Sequence, residues 1–211
     1  MFTGIIREIG KIKKIVPNES GTEFEVVCQK VTKNKKIGES ITVNGVCTSI
    51  VAITNEGFSF QAIPETLKIT NLKSLKADDK VNLEPSLTLE QGLDGHMVQG
   101  HVDCEAEVIN LNKEQDESLL TIKFPAQISD YLAFKGSITV NGVSLTIAKL
   151  ENNQLSTALI PQTLEHTNFS ILKEGDKVNI EVDLIARYLK QLLDKKEKEA
   201  THEFLKERNL I

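Results

Sequence analysis

Short runs of apolar and β-branched residues, separated by turn residues, form the pattern of the first half of the chain. Val, Ile, Thr and Phe are enriched in five such runs, at residues 24–29, 40–43, 46–54, 58–63 and 80–84. Runs of this length and composition are typical of β-strands. The segments 66–72 and 163–171 are less strand-like, and we predict a helical turn in each.

The second half of the chain repeats the first. The heptapeptide SITVNGV occurs at residues 40–46 and again at 137–143, an offset of 97 residues. Carried through residues 40–84 without a gap, this offset makes 23 of 45 residue pairs identical. A solenoid unit spans only roughly 20–50 residues, so this period indicates a duplicated domain instead. We predict three parts: a first domain over residues 1–92, a second over 93–187 and a C-terminal helix over 188–211.

Asn-Gly pairs mark tight turns at equivalent places in the two copies. Asn44-Gly45 and Asn141-Gly142 each lie between two predicted strands. Both residue types tolerate positive φ, which makes this pair the strongest short signal for a β-hairpin. Five or six short antiparallel strands in about 90 residues favour a small closed barrel over an open sheet. The chain is therefore predicted to be all-β, with two tandem antiparallel barrels.

The C-terminal segment follows a helical period instead. Ile185, Leu189, Leu192 and Leu193 fall at positions i, i+4, i+7 and i+8, which places them in one apolar stripe of an α-helix. Two interpretations of this stripe stay open. It packs against a neighbouring subunit, or it folds back on the chain's own barrel.

Charge and composition argue against several classes of function. The 25 basic and 30 acidic residues give a net charge of −5, which disfavours binding to nucleic acid or to anionic lipid. No apolar stretch of about 18 residues is present to span a membrane, and the N-terminus does not resemble a signal peptide. Three widely spaced cysteines, Cys28, Cys47 and Cys104, form neither a disulfide framework nor a metal-binding pair. We expect a cytoplasmic protein without a metal site.

Small polar side chains follow each Asn-Gly turn. Cys47 and Ser49 follow the first turn, and Ser144 and Thr146 follow the second. Residues two apart on a strand point to one face, so each barrel offers two hydroxyl or thiol groups side by side. Ser and Thr are also ordinary strand residues, which is the alternative. Recurrence in both copies favours a polar pocket for a ligand with many hydrogen-bonding groups.

Two histidines lie in the segment DGHMVQGHVDC at the junction of the copies. The five-residue spacing of His96 and His101 suits neither a helix face nor a strand face, and Cys104 does not complete a recognised zinc site. His101 corresponds to Ile5 of the first copy, and a histidine gained at a duplicated position is a candidate for proton transfer. The alternative is a surface histidine without such a role. A cysteine hydrolase using Cys47 is disfavoured, because no protease-like signature surrounds it.

Several motifs together resemble those of the riboflavin synthase alpha-chain family. They are MFTGII at the start, VNGVC and VNGVSLT in the two hairpins, GHMVQGHVD at the junction, and the pair IPETL and IPQTL. The resemblance covers about residues 1–190. It implies that each half is a six-stranded Greek-key barrel and that the C-terminal helix helps to build a homotrimer. It also implies a transferase that uses no metal or organic cofactor.

The activity implied by this resemblance is a dismutation. Two molecules of 6,7-dimethyl-8-ribityllumazine react, a four-carbon unit moves from one to the other, and riboflavin and 5-amino-6-ribitylaminouracil form in the last step of riboflavin biosynthesis. In the family, the N-terminal barrel of one subunit and the C-terminal barrel of a neighbour form the active site together. Two like molecules that react need two similar pockets held close together, which a duplicated domain supplies.

Site residues follow from the resemblance position by position. The positions associated with catalysis are Ser40, Cys47, His101, Thr146 and Asp183. Phe2 matches an aromatic residue near the site. The first substrate pocket would use Gly4, Ile5, Ile6, Cys47, Thr48, Ser49, Gln61, Ala62, Ile63, Pro64, Glu65 and Thr66. The second would use Gly100, His101, Val102, Lys135, Ser144, Leu145, Thr146, Ala158, Leu159, Ile160, Pro161, Gln162 and Thr163.

Small departures from the family pattern leave these residues in place. Thr48 and Ser49 stand where the family has Leu and Thr, and we expect Thr48 to point away from the pocket. Gln162 stands where the first copy has Glu65. The main alternative function is an antenna protein that binds lumazine or flavin without turnover, but the polar residues kept in both pockets favour the enzyme. A flavin-reductase-type barrel is disfavoured, because no Gly-rich βαβ unit is present.

Overall fold

Hairpins close the first half of the chain into a barrel. The computed structural model describes residues 1–113 and 118–207. The first six strands are β1 (Glu8–Asn18), β2 (Gly21–Val27), β3 (Ser40–Val43), β4 (Val46–Thr54), β5 (Gly57–Ala62) and β6 (Lys80–Pro85). They pair antiparallel in the order β1-β2-β5-β4-β3-β6, and β6 pairs with β1 to close the sheet.

The second half builds the same barrel again. Its strands are β7 (Cys104–Lys113), β8 (Ser118–Lys123), β9 (Ser137–Val140), β10 (Val143–Glu151), β11 (Gln154–Leu159) and β12 (Lys177–Val182). The closed order β10-β11-β8-β7-β12-β9 repeats the neighbour relations of the first barrel. The prediction of two six-stranded antiparallel Greek-key barrels is therefore confirmed.

Strand β1 is the element of the first barrel that the apolar runs did not indicate. Only Gly10 and Ile12 of this strand are buried, and Lys11, Lys13 and Lys14 are exposed. The composition of β1 therefore does not identify it as a strand, whereas its pairing with β2 and β6 does. The predicted helical turns are present as the helices α1 (Pro64–Ile69) and α2 (Pro161–His166), each followed by a turn of 3-10 helix at Asn71–Ser74 and Asn168–Ile171.

Strand alternation decides which side chains fill each barrel. On β4, Val46, Thr48 and Ile50 are buried, whereas Cys47 is half-buried and Ser49 is exposed. The interior of the first barrel also holds Phe24, whose ring stacks on that of Phe60 on β5 with 5.0 Å between centroids. The small polar residues after each turn therefore face outward from a packed core.

The two Asn-Gly turns meet tip to tip. Asn44 and Asn141 have φ values of 48° and 46°, and both glycines have φ of 78°, as a type I′ turn requires. A Cβ added to Gly45 would lie 2.6 Å from the backbone nitrogen of Gly142. Only glycine therefore fits at this contact between the barrels.

Buried asparagines join the barrels around the same contact. Asn82 donates through Nδ2 to the carbonyl of Asn141, 3.0 Å away, and Asn179 makes the equivalent bond to the carbonyl of Asn44, 2.9 Å away. The backbone N–H groups of Asn71 and Asn168 donate at 2.7 Å to the side-chain oxygens of Asn179 and Asn82. These paired bonds relate the two halves by an approximate two-fold axis and satisfy polar groups that burial would otherwise penalise.

Two segments cross between the barrels beside this axis. Phe2, before the first barrel, forms an antiparallel bridge with Val98, before the second. The N–H group of Phe2 donates to the carbonyl of Val98 at 2.7 Å, and the reverse bond is 3.1 Å long. We call residues 1–6 the first crossing segment and residues 97–102 the second.

The C-terminal helix α3 (Leu184–Glu207) leaves the second barrel. Arg187 pairs with Asp103 at 2.8 Å and anchors its first turns. The predicted stripe is largely uncovered, because its side chains are between 54% and 63% exposed at Ile185, Leu189, Leu192 and Leu193. Residues 208–211 of the predicted helix lie outside the described residues. Among the residues that the structure describes, no helix is long and apolar enough to cross a membrane.

Candidate functional site

Each barrel carries a cleft beside the strand that follows its Asn-Gly turn. The Cys47 cleft on the first barrel has a volume of about 260 Å³ and is lined by Val46, Cys47, Ile63, Glu65, Thr66, Ile69, Thr70, Gly100, His101 and Val102. The Ser144 cleft on the second has a volume of about 440 Å³ and is lined by Asp94, Gly95, Lys135, Ser137, Ser144, Leu145, Thr146, Ala148, Ala158, Ile160 and Thr163. The clefts therefore share equivalent strands and helices.

The crossing segments exchange partners between the two clefts. The N–H group of Cys47 donates to the carbonyl of Gly100 at 2.9 Å, and the N–H group of Ser144 donates to the carbonyl of Gly4 at 2.8 Å. In the structure Gly4 therefore lies beside Ser144 and Gly100 beside Cys47, whereas the prediction grouped Gly4 to Ile6 with Cys47 and Gly100 to Val102 with Ser144. The repeat identifies which residues of the two copies are equivalent. It does not show that each crossing segment contacts the other barrel rather than its own.

The Cys47 cleft combines a thiol with an imidazole. Cys47 is half-buried and His101 is exposed at the edge of the cleft. Ser40 lies opposite Ser49 in the β3–β4 ladder, outside the residues that line the cleft. Thr48 points inward, as expected, and donates from Oγ1 to the carbonyl of Ile41 at 2.8 Å.

The three cysteines differ in their access to ligand. Burial raises the pKa of the Cys28 and Cys104 thiols to about 12, so both stay protonated and unreactive inside the barrels. Cys47 lines a cleft instead. It is therefore the cysteine positioned to meet a bound molecule.

Beside the Ser144 cleft lies a histidine that the sequence analysis did not assign to a pocket. His96 Nδ1 and Ser144 Oγ share a hydrogen bond of 2.8 Å. Burial lowers the pKa of His96, although the nearby Asp183 carboxylate opposes this shift. The neutral imidazole therefore predominates at neutral pH and can exchange a proton with the Ser144 hydroxyl. His96 has no counterpart in the first copy, so the repeat gave no signal for it.

Some of the other predicted residues of the second barrel line the Ser144 cleft, and some do not. Lys135, Thr146 and Thr163 line the Ser144 cleft. Asp183 lies on the same side of the molecule as His96 and accepts a hydrogen bond from the Ile185 N–H group at 2.8 Å, at the start of α3. Three predicted positions do not line the cleft: Leu159, which is buried, and Pro161 and Gln162, which are exposed.

Several predicted residues of the first barrel also lie off the cleft. Phe2 is fully buried at the crossing, where its backbone bridges to Val98. Ala62 is buried in the core. Gln61 is exposed and donates to Ser20 Oγ at 2.7 Å. Pro64 and Ser49 are exposed outside the lining residues.

Metal ligation has no support in the part of the chain that the structure describes. Among the residues whose side chains the structure describes, no group of three or more His, Cys, Asp or Glu is arranged to hold a metal ion. The clefts instead offer hydroxyl, thiol, imidazole and ammonium groups together with free strand faces. Such a set binds a polar organic molecule through hydrogen bonds.

Comparison with known proteins identifies two copies of one domain. The family model described as the lumazine binding domain matches residues 3–86 and again residues 99–183. A riboflavin synthase of Bacillus subtilis (strain 168) is 37% identical over 203 residues, which cover 96% of this chain and 94% of that protein. A riboflavin synthase of Photobacterium phosphoreum is 40% identical over 194 residues, covering 92% and 89%.

Solved structures agree with these sequence matches. The structure of LumP complexed with 6,7-dimethyl-8-(1'-D-ribityl) lumazine matches with a TM-score of 0.79 and 26% identity, covering 86% of this chain and 99% of that chain. LumP complexed with riboflavin matches with a TM-score of 0.80 and 27% identity, with the same coverage. The chain therefore belongs to the riboflavin synthase family of enzymes and carries two lumazine-binding domains.

Proposed function

We propose that this chain catalyses the dismutation of two 6,7-dimethyl-8-ribityllumazine molecules. A four-carbon unit passes from one lumazine to the other, giving riboflavin and 5-amino-6-ribitylaminouracil as the last step of riboflavin biosynthesis. The observation that carries this proposal is the presence of two equivalent clefts with different polar groups. Two like substrates need two like sites, and their different fates need sites that are chemically unequal.

Alignment of the two lumazines is the main source of rate enhancement in this proposal. Holding two reactants in a productive arrangement removes roughly 7–11 kcal/mol of barrier. The Cys47 cleft of one subunit would face the Ser144 cleft of its neighbour in a homotrimer. Support comes from α3, whose apolar stripe is exposed on the single chain and fits the predicted contact with another subunit.

The roles of the cleft residues follow from their chemistry. Lys135 and the hydroxyls of Thr146 and Thr163 would bind the ribityl chain, and exposed backbone groups would bind the pyrimidinedione edge. A base removes a proton from the carbon-7 methyl group of one lumazine, and a nucleophile adds to the other before the rings join and cleave. His101 at the Cys47 cleft is our candidate for this base. Neither a metal nor an organic cofactor enters the proposed reaction.

We place this reaction in the cytoplasm. Cys28, Cys47 and Cys104 are free thiols, as suits a reducing compartment. The negative net charge of −5 fits a small-molecule enzyme rather than one that binds nucleic acid or anionic lipid.

The alternative is a protein that binds lumazine or flavin without turnover, and the similarity to the LumP complexes favours considering it. One assay separates the two functions. The purified chain is incubated with 6,7-dimethyl-8-ribityllumazine, and riboflavin absorbance is followed while binding is measured in parallel. Continuous riboflavin formation supports the proposal. Tight binding with no riboflavin above the uncatalysed control would overturn it in favour of the antenna function.

A further inference from the structure

Two buried glutamates occupy equivalent positions in the barrels. Glu84 on β6 is 3% exposed and Glu181 on β12 is 2% exposed. Ionised residues are seldom buried to this degree unless they are paired or hydrogen-bonded. Both carboxylates point at backbone N–H groups of the crossing segments.

Glu84 binds the first crossing segment through three hydrogen bonds. Its Oε1 atom accepts from the N–H group and from the hydroxyl of Thr3, each at 2.7 Å, and its Oε2 atom accepts from the Gly4 N–H group at 3.0 Å. The carbonyl of that same Gly4 accepts the N–H group of Ser144 in the second barrel. A glutamate of the first barrel thus holds the crossing segment that contacts Ser144.

Glu181 makes the reciprocal connection. Its Oε1 atom accepts from the N–H group of Gln99 at 2.7 Å, and its Oε2 atom accepts from that of Gly100 at 2.9 Å. The backbone of His101 also donates to this carboxylate. Gly100 in turn accepts the N–H group of Cys47. A glutamate of the second barrel thus holds the segment that carries His101 to the Cys47 cleft.

Burial and hydrogen bonding act on these two carboxyl groups in opposite directions. Burial raises the pKa of Glu84 and of Glu181, and this effect outweighs the hydrogen bonds from the crossing segments, which act in the opposite direction. Arg7 lowers the pKa of Glu84, whereas Asp103 raises that of Glu181. Because burial opposes the charged form, loss of the charge in a Glu→Gln variant is less costly than it would be for a group with a lowered pKa. What the variant loses is the second acceptor oxygen, because a glutamine NH₂ group would face an N–H donor.

We propose that Glu84 and Glu181 are reciprocal positioning residues: Glu181 in the second barrel sets the Cys47 cleft with His101, and Glu84 in the first sets the Ser144 cleft. Neither carboxylate lines a cleft, so each acts through the crossing segment that it holds. This inference rests on the proposed function for its effect on turnover. It makes a structural claim that can be tested separately.

The experiment compares Glu181→Gln with Glu84→Gln in the full chain. Hydrogen exchange at the Cys47 and Ser144 amides reports each crossing contact, riboflavin formation reports turnover, and urea unfolding reports global stability. We expect Glu181→Gln to speed exchange at Cys47 only and Glu84→Gln to speed it at Ser144 only. Each variant should fold and lower kcat by roughly 10–100-fold, since small displacements of reacting groups are costly. Some loss of stability is expected from the unpaired N–H group.

The outcomes separate this inference from the proposed function. If the unmodified chain makes no riboflavin, the proposed function fails while the exchange pattern still tests the contacts. If the chain is active and either variant keeps wild-type kcat, or if both amides respond alike to each change, reciprocal positioning is refuted. Should a glutamine variant not fold, Glu→Asp at the same position replaces it: aspartate keeps the charge but is too short to reach all donors, so the same single amide must exchange faster.

Discussion

The two clefts show how a duplicated barrel can carry two sites with different side chains. Both use a half-buried small residue after an Asn-Gly turn, Cys47 in one and Ser144 in the other. The Cys47 cleft is smaller and has an exposed histidine, whereas the Ser144 cleft is larger, carries Lys135 and has a half-buried histidine. Within the repeat, Cys47 corresponds to Ser144 and Gly38 to Lys135, while both histidines come from the junction between the copies. Duplication thus supplies like cavities, and substitutions within the repeat together with the junction give them different polar groups.

Blocking either cleft gives the largest expected effect on turnover. Thr66 and Thr163 are equivalent, half-buried residues that line the two clefts. Either Thr66→Trp or Thr163→Trp should lower riboflavin formation by at least about 1,000-fold, because loss of one partner removes the alignment advantage. The measurement is initial rate at saturating lumazine. Ile37→Trp, at a 68% exposed loop position, is the control and should keep full activity. Normal turnover in either variant would show that one open cleft is sufficient for riboflavin formation.

Histidine substitutions test whether the clefts differ in proton transfer. His101→Ala should leave lumazine affinity unchanged and lower kcat by roughly 100-fold or more, as expected for loss of a general base. His166→Ala is the control, because His166 is exposed on α2 outside both clefts. Wild-type kcat in His101→Ala would end the base assignment. A larger loss in His96→Ala than in His101→Ala would move the base to the Ser144 cleft.

Substitutions at the two Asn-Gly turns test the contact between the barrels. Gly45→Ala places a Cβ 2.6 Å from the Gly142 nitrogen at a φ of 78°, whereas Gly38→Ala has a φ of 88° with no atom within 4 Å. Both variants incur backbone strain of about 1–2 kcal/mol. Only Gly45→Ala also overpacks the contact, so its free energy of unfolding should fall by about 1–3 kcal/mol more. Equal losses in urea unfolding would show that the contact tolerates a side chain.

The smallest expected effect is a pH dependence of stability from the Ser144 cleft. Burial holds the pKa of His96 below its usual value, while Asp183 opposes the shift. The unfolded chain therefore binds a proton near pH 6.5 before the folded chain does. Stability from neutral His96 is present above that pH and is lost as pH falls through the folded pKa. The difference in unfolding free energy between wild type and His96→Asn should shrink over this window. The wild-type curve alone is not sufficient, because the raised pKa values of Glu84 and Glu181 make stability fall as pH rises. Subtracting the curve of His96→Asn removes their contribution.

Local sequence signals predicted the elements of the fold well. Asn44-Gly45 and Asn141-Gly142 specify their turns through backbone preference alone, and the exact repeat around them fixed the second barrel once the first was identified. Strand β1 was not predicted, because its lysines interrupt the alternation of apolar and polar residues. The apolar stripe of α3 was identified, and its exposure in the single chain favours contact with another subunit.

The site was harder to predict because it depends on long-range contacts. The repeat paired Gly4 with Gly100 correctly as equivalents, yet each lies against the opposite barrel. Periodicity contains no information on such a crossing. His96 was missed because it has no counterpart in the first copy, and its bond to Ser144 joins residues that are 48 apart. Phe2 is buried at the crossing, and its predicted place near the site stays a prediction.

The central claim is that one active site joins the Cys47 cleft of one subunit to the Ser144 cleft of another. It is tested most directly by unfolding Thr66→Trp and Thr163→Trp chains together, refolding the mixture, and measuring riboflavin formation after mass analysis has verified mixed trimers. The account predicts recovery of about a quarter of wild-type turnover, because random assembly leaves one interface in four with two open clefts. Mixed trimers as inactive as either variant alone would contradict it.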